Sequence, residues 1–154
     1  MRNAEHIRYL ILAAQREGNR RFASDLKPLG LTPAQSEVLR ILGERSPLTL
    51  TELGEMLVCE SGTNPSRLVD KLVDHGLVLR VTDESDRRRV TLTLSAAGRS
   101  REVEVRAVED RVYAELEASF PAVDVEGLIA YLHLLVADRP AGLALAARIG
   151  AQTS

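Results

Sequence analysis

Apolar residues recur at every third or fourth position near the start of the chain: Ile7, Leu10, Ile11, Ala14, Gly18, Phe22 and Leu26, with no proline or strand signal across residues 3–27. That spacing predicts one long amphipathic helix, closed by Pro28 and Gly30. Thr32, Pro33 and Gln35 supply an N-cap, a proline at the first helical position and a capping-box glutamine. The helix they open carries Val38, Leu39, Ile41 and Leu42 and is expected to stop at Gly43. Pro47-Leu48 is expected to form a short strand, and Thr49 with Glu52 makes a second capping box for a short helix holding Leu50, Leu53, Met56 and Leu57.

The next stretch has two faces. On a helical wheel Leu68, Val69, Leu72 and Val73 fall on one side, while Thr63, Asn64, Arg67, Lys71 and Asp74 fall on or near the other. Val58-Cys59-Glu60 reads as the tight turn before this helix, Ser61 as its N-cap, and His75-Gly76 as its end. Residues 77–82 are β-prone, and Val90, Thr91, Leu92, Thr93 and Leu94 alternate apolar or β-branched with small polar residues. Between them lies a turn over residues 83–89 with three consecutive arginines. Two short helices followed by an arginine-tipped hairpin form a winged helix-turn-helix, with the strand at Pro47-Leu48 expected to join the hairpin as a third.

Ser95 is placed to cap a helix over about 96–119, with Val105, Val108, Val112 and Leu116 as its stripe and Pro121 as its breaker. Val125, Leu128, Ile129, Leu132, Leu135 and Val136 mark another over about 125–137, ended by Asp138-Arg139-Pro140, and only a weak turn or two is expected beyond. The stripes at both ends of the chain have no partner within the winged module. The reading is therefore mainly α with a small β wing: a winged helix-turn-helix over 31–95, and a helical dimerisation region formed by both chain ends, 1–30 and 96–150. A two-fold dimer of that kind presents two reading helices to successive major grooves of a palindromic site.

Composition narrows the partner. The chain has 154 residues, 45% of them hydrophobic but only 3% aromatic, so the core must be aliphatic and base stacking on aromatic rings has little to work with. Net charge is -2, yet residues 60–101 carry 8 basic and 6 acidic side chains against 4 and 9 in residues 102–154. Within 87–101 every charge is an arginine: Arg87, Arg88, Arg89, Arg99 and Arg101. The basic character is local to the wing and the start of the following helix, which fits double-stranded DNA. No apolar run approaches a membrane span and no signal-peptide block follows Met1, so a cytoplasmic location without a membrane partner is expected. One cysteine, Cys59, and three scattered histidines give no zinc-ligand spacing. No Gly-rich phosphate loop or Ser/Cys–His arrangement appears, so neither an enzyme nor a bound cofactor is expected.

The order of elements, the segment SRLVDKLVDHGLVLR and above all DRRRVTLTLSAAGR resemble the MarR (multiple antibiotic resistance regulator) family of transcription factors. Asp86-Arg87-Arg88 matches the family's D-x-R in the wing, and Leu94-Ser95-Ala96-Ala97-Gly98-Arg99 resembles its L-T-x-x-G-R, with serine where threonine is usual. Gly62 and Pro65 depart from the pattern near the start of the reading helix. The resemblance implies an obligate homodimer on pseudo-palindromic DNA, usually a repressor, with many members released by small aromatic anions or by oxidation.

The candidate contacts follow from position. Arg67 is the residue for a bidentate guanine contact, with Ser61, Thr63, Asn64, Ser66 and Lys71 as base or backbone partners. Arg88 suits a narrow minor groove, Asp86 can hold its guanidinium, and Arg87 and Arg89 suit phosphates. The bland alternative for the helix is internal pairing, Arg67 with Asp70 or Asp74 with Lys71 or His75; for the wing it is a solvated charge cluster. Cys59 reads more readily as a structural thiol than as an oxidant sensor. His6, Tyr9, Arg16 and Arg21 on the first helix are placed to face a ligand cleft, though packing or solvation accounts for them equally. The alternative function is a winged helix used only for protein contacts, which has no need of the arginine run.

Overall fold

The computed structural model describes residues 2–59, 64–82, 86 and 89–150. The first helix, α1, runs Asn3–Leu26 and passes into a 3-10 turn, Lys27–Leu29, closed by Gly30 in the left-handed conformation with φ 68°. Helix α2, Pro33–Arg45, starts on the capping box read in the sequence: the Thr32 side chain accepts the Gln35 N–H, and the Gln35 side chain accepts that of Thr32. Strand β1, Leu48–Thr49, leads into α3, Leu50–Gly54, which opens on the second capping box of Thr49 and Glu52.

Helix α4, Pro65–Asp74, is followed by strands β2, Val78–Thr82, and β3, Val90–Leu94. The three strands form one antiparallel sheet in the order β1-β3-β2. Leu48 pairs with Leu92, Val78 with Leu94 and Thr82 with Val90, so the expected third strand does join the hairpin. Period-2 alternation buries Leu92 and Leu94 of β3 while their neighbours face outward.

Helix α5, Ala96–Glu117, ends before a 3-10 turn, Phe120–Ala122, that contains Pro121; α6, Val125–Val136, and α7, Pro140–Ile149, complete the chain. One aliphatic core joins Leu26 of α1, Val38, Leu39, Ile41 and Leu42 of α2, Leu53, Val69, Leu72, the sheet residues Val78, Leu92 and Leu94, and Val105 and Val108 of α5. The first half of α5 packs directly on α2 and so joins the core of the winged module.

Three expectations are corrected. Helix α2 does not stop at Gly43 but continues to Arg45. The glycine is there because α5 crosses at that point: a Cβ on Gly43 would lie 2.9 Å from Glu102 Cγ. The stripe of α5 is buried only at Val105 and Val108, while Leu116 is exposed, because the second half of the helix runs beyond the core. The segment after Pro140 is a ten-residue helix, with proline in its first turn where the missing N–H costs nothing.

The chain ends present a different surface. No residue of α6 is buried, and Ile129 stands 51% exposed beside Leu128, Leu132 and Leu135. Leu10 of α1 is 56% exposed, and Ile7 and Leu12 are exposed with it. No single helix among the described residues is long and apolar enough to cross a membrane.

Candidate nucleic-acid interface

The reading helix α4 begins later than its sequence suggested. Ser61 and Thr63 lie outside the described residues, and the N-cap is Asn64, whose Oδ1 accepts the Ser66 N–H at 3.0 Å. Pro65 therefore sits at the first helical position, which resolves its departure from a good helix former. Leu68, Val69 and Leu72 are buried and Val73 is half-buried. Their burial, worth roughly 1.5–3 kcal/mol for each fully buried aliphatic side chain, fixes the rotation of the helix about its axis.

The opposite face is consequently exposed. Arg67, Lys71, Asp74 and His75 all lie on the surface, and Ser66 is half-buried at the start. Asp70 is ion-paired with Arg80 of β2 rather than with Arg67. None of the pairings that would have neutralised Arg67 and Lys71 is formed among the described residues. The Asp70–Arg80 pair instead ties the reading helix to the first strand of the wing.

Arg87 and Arg88, expected at the tip of the wing, lie outside the described residues. Asp86 and Arg89 are both exposed, and the Arg89 N–H donates to the Asp86 carbonyl at 2.9 Å, turning the chain back into β3. Arg89 also sits close enough to α3 to act on Glu52. Hydrogen bonds from the Thr49 N–H and hydroxyl are the main reason that Glu52 is held below the usual carboxylate range, with the Arg89 charge adding to them.

The far end of the wing is anchored at Ser95. Its hydroxyl donates to the Gly76 carbonyl at 2.6 Å and accepts the Gly98 N–H at 2.9 Å, while its own N–H donates to the Leu77 carbonyl at 3.0 Å. Arg99 donates to the Leu94 carbonyl at 2.8 Å. Gly98 is required here, because a Cβ would lie 2.0 Å from the Leu77 carbonyl oxygen. The L-S-A-A-G-R motif is thus a junction: serine caps α5 and glycine lets its first turn rest on Leu77, in the turn between α4 and β2.

A buried ionic cluster braces α2 against α5. Arg40 pairs with Glu44 and Glu109, each at 2.8 Å, and with Glu102, which also takes Arg106 at 2.8 Å. Burial acts to lower the Arg40 guanidinium, but hydrogen bonds and charge from Glu102 and Glu109 outweigh it and raise it above its usual value. Glu109 is pushed up by burial, only partly offset by Arg40. Sequence reasoning missed this cluster. Its signal was that Glu102 and Glu109 lie seven residues apart on the same face as Val105, a carboxylate pair on an apolar stripe.

Cys59 is exposed as a residue, yet its thiol lies against Glu37. Burial first, and then the negative charge of Glu37, push it up to about 12. Of the first-helix candidates, Arg21 lines a cleft of about 870 Å³ between α1 and α5, together with Arg20 and Phe22, and is ion-paired with Glu115. His6, Tyr9 and Arg16 are exposed on α1 and do not line it, and Arg8 lies over the Tyr9 ring at 5.2 Å.

A helix with one buried aliphatic face and one exposed cationic face, followed by an antiparallel hairpin, defines a winged helix-turn-helix protein. Residues 31–90 match the MarR family, and the relatives to which the chain is similar are transcriptional regulators. The organic hydroperoxide resistance transcriptional regulator of Bacillus subtilis is 31% identical over 90 residues, covering 58% of this chain and 60% of that protein. The match therefore spans less than two thirds of that relative's length. The S. aureus MepR–DNA complex shares the fold with a TM-score of 0.75 at 20% identity, covering 84% of this chain and 95% of that one. The transcriptional repressor CouR, solved bound to a 23-mer DNA duplex, gives a TM-score of 0.67 at 27% identity, covering 86% and 92%.

Proposed function

We propose that the chain is a homodimeric transcriptional repressor that binds a pseudo-palindromic operator in double-stranded DNA. Residues 31–95 form the DNA-binding module and residues 1–30 and 96–150 the dimerisation region. The observation that carries the reading is the two-faced α4: its aliphatic side is locked into the core and leaves Arg67 and Lys71 exposed, with no ion pair among the described residues. Arg67 contacts a guanine in the major groove, and Asn64, Ser66 and Lys71, with Ser61 and Thr63 ahead of them, contact neighbouring bases or phosphates. Asn64 does this while its Oδ1 caps the helix. Arg88 enters the adjacent minor groove, steadied by Asp86, with Arg87 and Arg89 on the phosphates.

The dimer is supported by the exposed apolar faces of α1 and α6, which the winged module does not cover. Repression is supported by the description of CouR as a transcriptional repressor bound to DNA. The α1–α5 cleft is the place for a small aromatic or anionic effector that releases the DNA, and an anion there has to draw Arg20 and Arg21 from their present partners Glu17 and Glu115.

The test begins with the genomic fragments that the purified protein retains. On such a fragment Arg67→Ala should cost about 1–3 kcal/mol per half-site and flatten preference at one symmetric base pair. Arg88→Ala should weaken binding with little change in major-groove preference and a smaller salt slope. Equal, sequence-independent losses for both would reduce Arg67 to a phosphate contact. No loss for either would make this a winged helix for protein contacts.

A further inference from the structure

Glu37 lies in the middle of α2 and is only 3% exposed. Its Oε1 accepts the Val58 N–H at 2.9 Å and its Oε2 accepts the Cys59 N–H at 2.9 Å. These two amides follow α3 on the way to the reading helix, and among the described residues they lie in neither helix nor strand. One carboxylate therefore holds the connection down on α2.

A buried anion needs a cation, and this one comes from the other end of the chain. Arg148 Nη1 of α7 donates to Glu37 Oε1 at 2.8 Å across 111 positions of sequence. Arg45, in the last turn of α2, donates to the Arg148 carbonyl at 3.4 Å and reaches Met56 Sδ at 3.5 Å, so the end of α7 is gripped through both backbone and side chain. Helix α7 otherwise packs on α6, the helix with no buried residue of its own.

We infer that Arg148 is a positioning residue for DNA reading: it neutralises Glu37 and so ties the placement of the α6–α7 pair to the connection that leads into α4. The inference rests on the DNA-binding reading above. Drawing α7 away from α2 leaves Glu37 buried without its cation, a strongly unfavourable state. The carboxylate can then regain solvation only by letting go of Val58 and Cys59. The reading helix loses its fixed approach while its apolar face stays in the core.

The full-length protein tests this with Arg148→Gln, Arg148→Lys, Glu37→Gln and the Glu37→Gln/Arg148→Gln pair. Operator affinity is measured on a fragment that the wild type retains, amide hydrogen exchange at Val58 and Cys59, and association by sedimentation. Arg148→Gln should weaken operator binding roughly tenfold or more and speed exchange at those two amides. Sedimentation and exchange at the core amides of Leu39 and Val69 should not change. Arg148→Lys should recover part of the loss, and the double variant should be no worse than Glu37→Gln alone. Wild-type affinity in Arg148→Gln would overturn the inference, as would an affinity loss matched by faster exchange at Leu39 and Val69, which marks general destabilisation. Failure of the wild type itself to retain any DNA would sink the DNA-binding reading, and this inference with it.

Discussion

Replacing Gly98 by alanine sets two physical effects against each other. In a helix taken alone, alanine is better than glycine by roughly 0.5–1 kcal/mol. Here the new Cβ falls 2.0 Å from the Leu77 carbonyl oxygen and 3.0 Å from its carbon. The obstacle is backbone, so no rotamer relieves it, and the first turn of α5 must lift away by about 1 Å or more to reach ordinary contact. Overpacking of this kind costs about 1–3 kcal/mol. Lifting α5 also stretches the Ser95 bonds to Gly76 and Leu77, each worth about 0.5–1.5 kcal/mol. The net expectation is a loss of about 2–4 kcal/mol, which at about 2–4 °C per kcal/mol lowers the melting midpoint by about 5–15 °C. Thermal and urea unfolding at matched protein concentration read it, since a dimer's midpoint depends on concentration. A midpoint equal to or above that of the wild type would refute the close approach of α5 to Leu77.

Three further outcomes are expected. Leu128→Glu with Leu132→Glu places two charges on the exposed face of α6 and should abolish dimerisation in a sedimentation experiment; a variant that stays dimeric removes that face from the interface. Because burial raises Glu109, the folded state binds its proton more readily than the unfolded chain does. That contribution to stability is fully present below the ordinary glutamate value of about 4.3 and is lost as pH rises through the raised one. Glu109→Gln should flatten this part of the urea-midpoint profile, and an unchanged slope would mean that the group is not perturbed. With its thiol pushed up to about 12, Cys59 in the folded protein should react with iodoacetamide near pH 8 on the order of a thousandfold more slowly than a free thiol. Equal rates in native and urea-unfolded protein would disprove it.

What could be read in advance was what depends on neighbours in sequence. Both capping boxes, the alternation that buries Leu92 and Leu94, the cap at Ser95 and the aliphatic face of α4 are set within a few residues, and each is found in place. The errors have long-range causes. Gly43 looked like a helix stop, but glycine is needed there to admit Glu102 from α5, 59 positions away by residue number. The internal pairing weighed for Arg67 misjudged Asp70, which turns to Arg80 on the next strand. Glu37 and Arg148 give no local sign of each other at all, since one is mid-helix and the other near the far end of the chain. The cap at Asn64 is a different case: Ser61 has the look of the cap in sequence, but the proline at position 65 selects the residue directly before it.

The junction at Ser95 leaves no slack between wing and helix, since β3 ends at Leu94 and α5 begins at Ala96. With 22 residues, α5 is about 33 Å long, so a small tilt about its first turn becomes a large displacement at its far end. A sideways shift of about 3 Å at its distal end, beside Tyr113 and Glu117, corresponds to a swing of about 5° over that length. Between that helix and β3 there is only Ser95, and no loop to absorb such a tilt. A displacement of α5 that carried its first turn along would therefore change the angle of the wing, and the Arg40 cluster with Glu102 and Glu109 is what resists it.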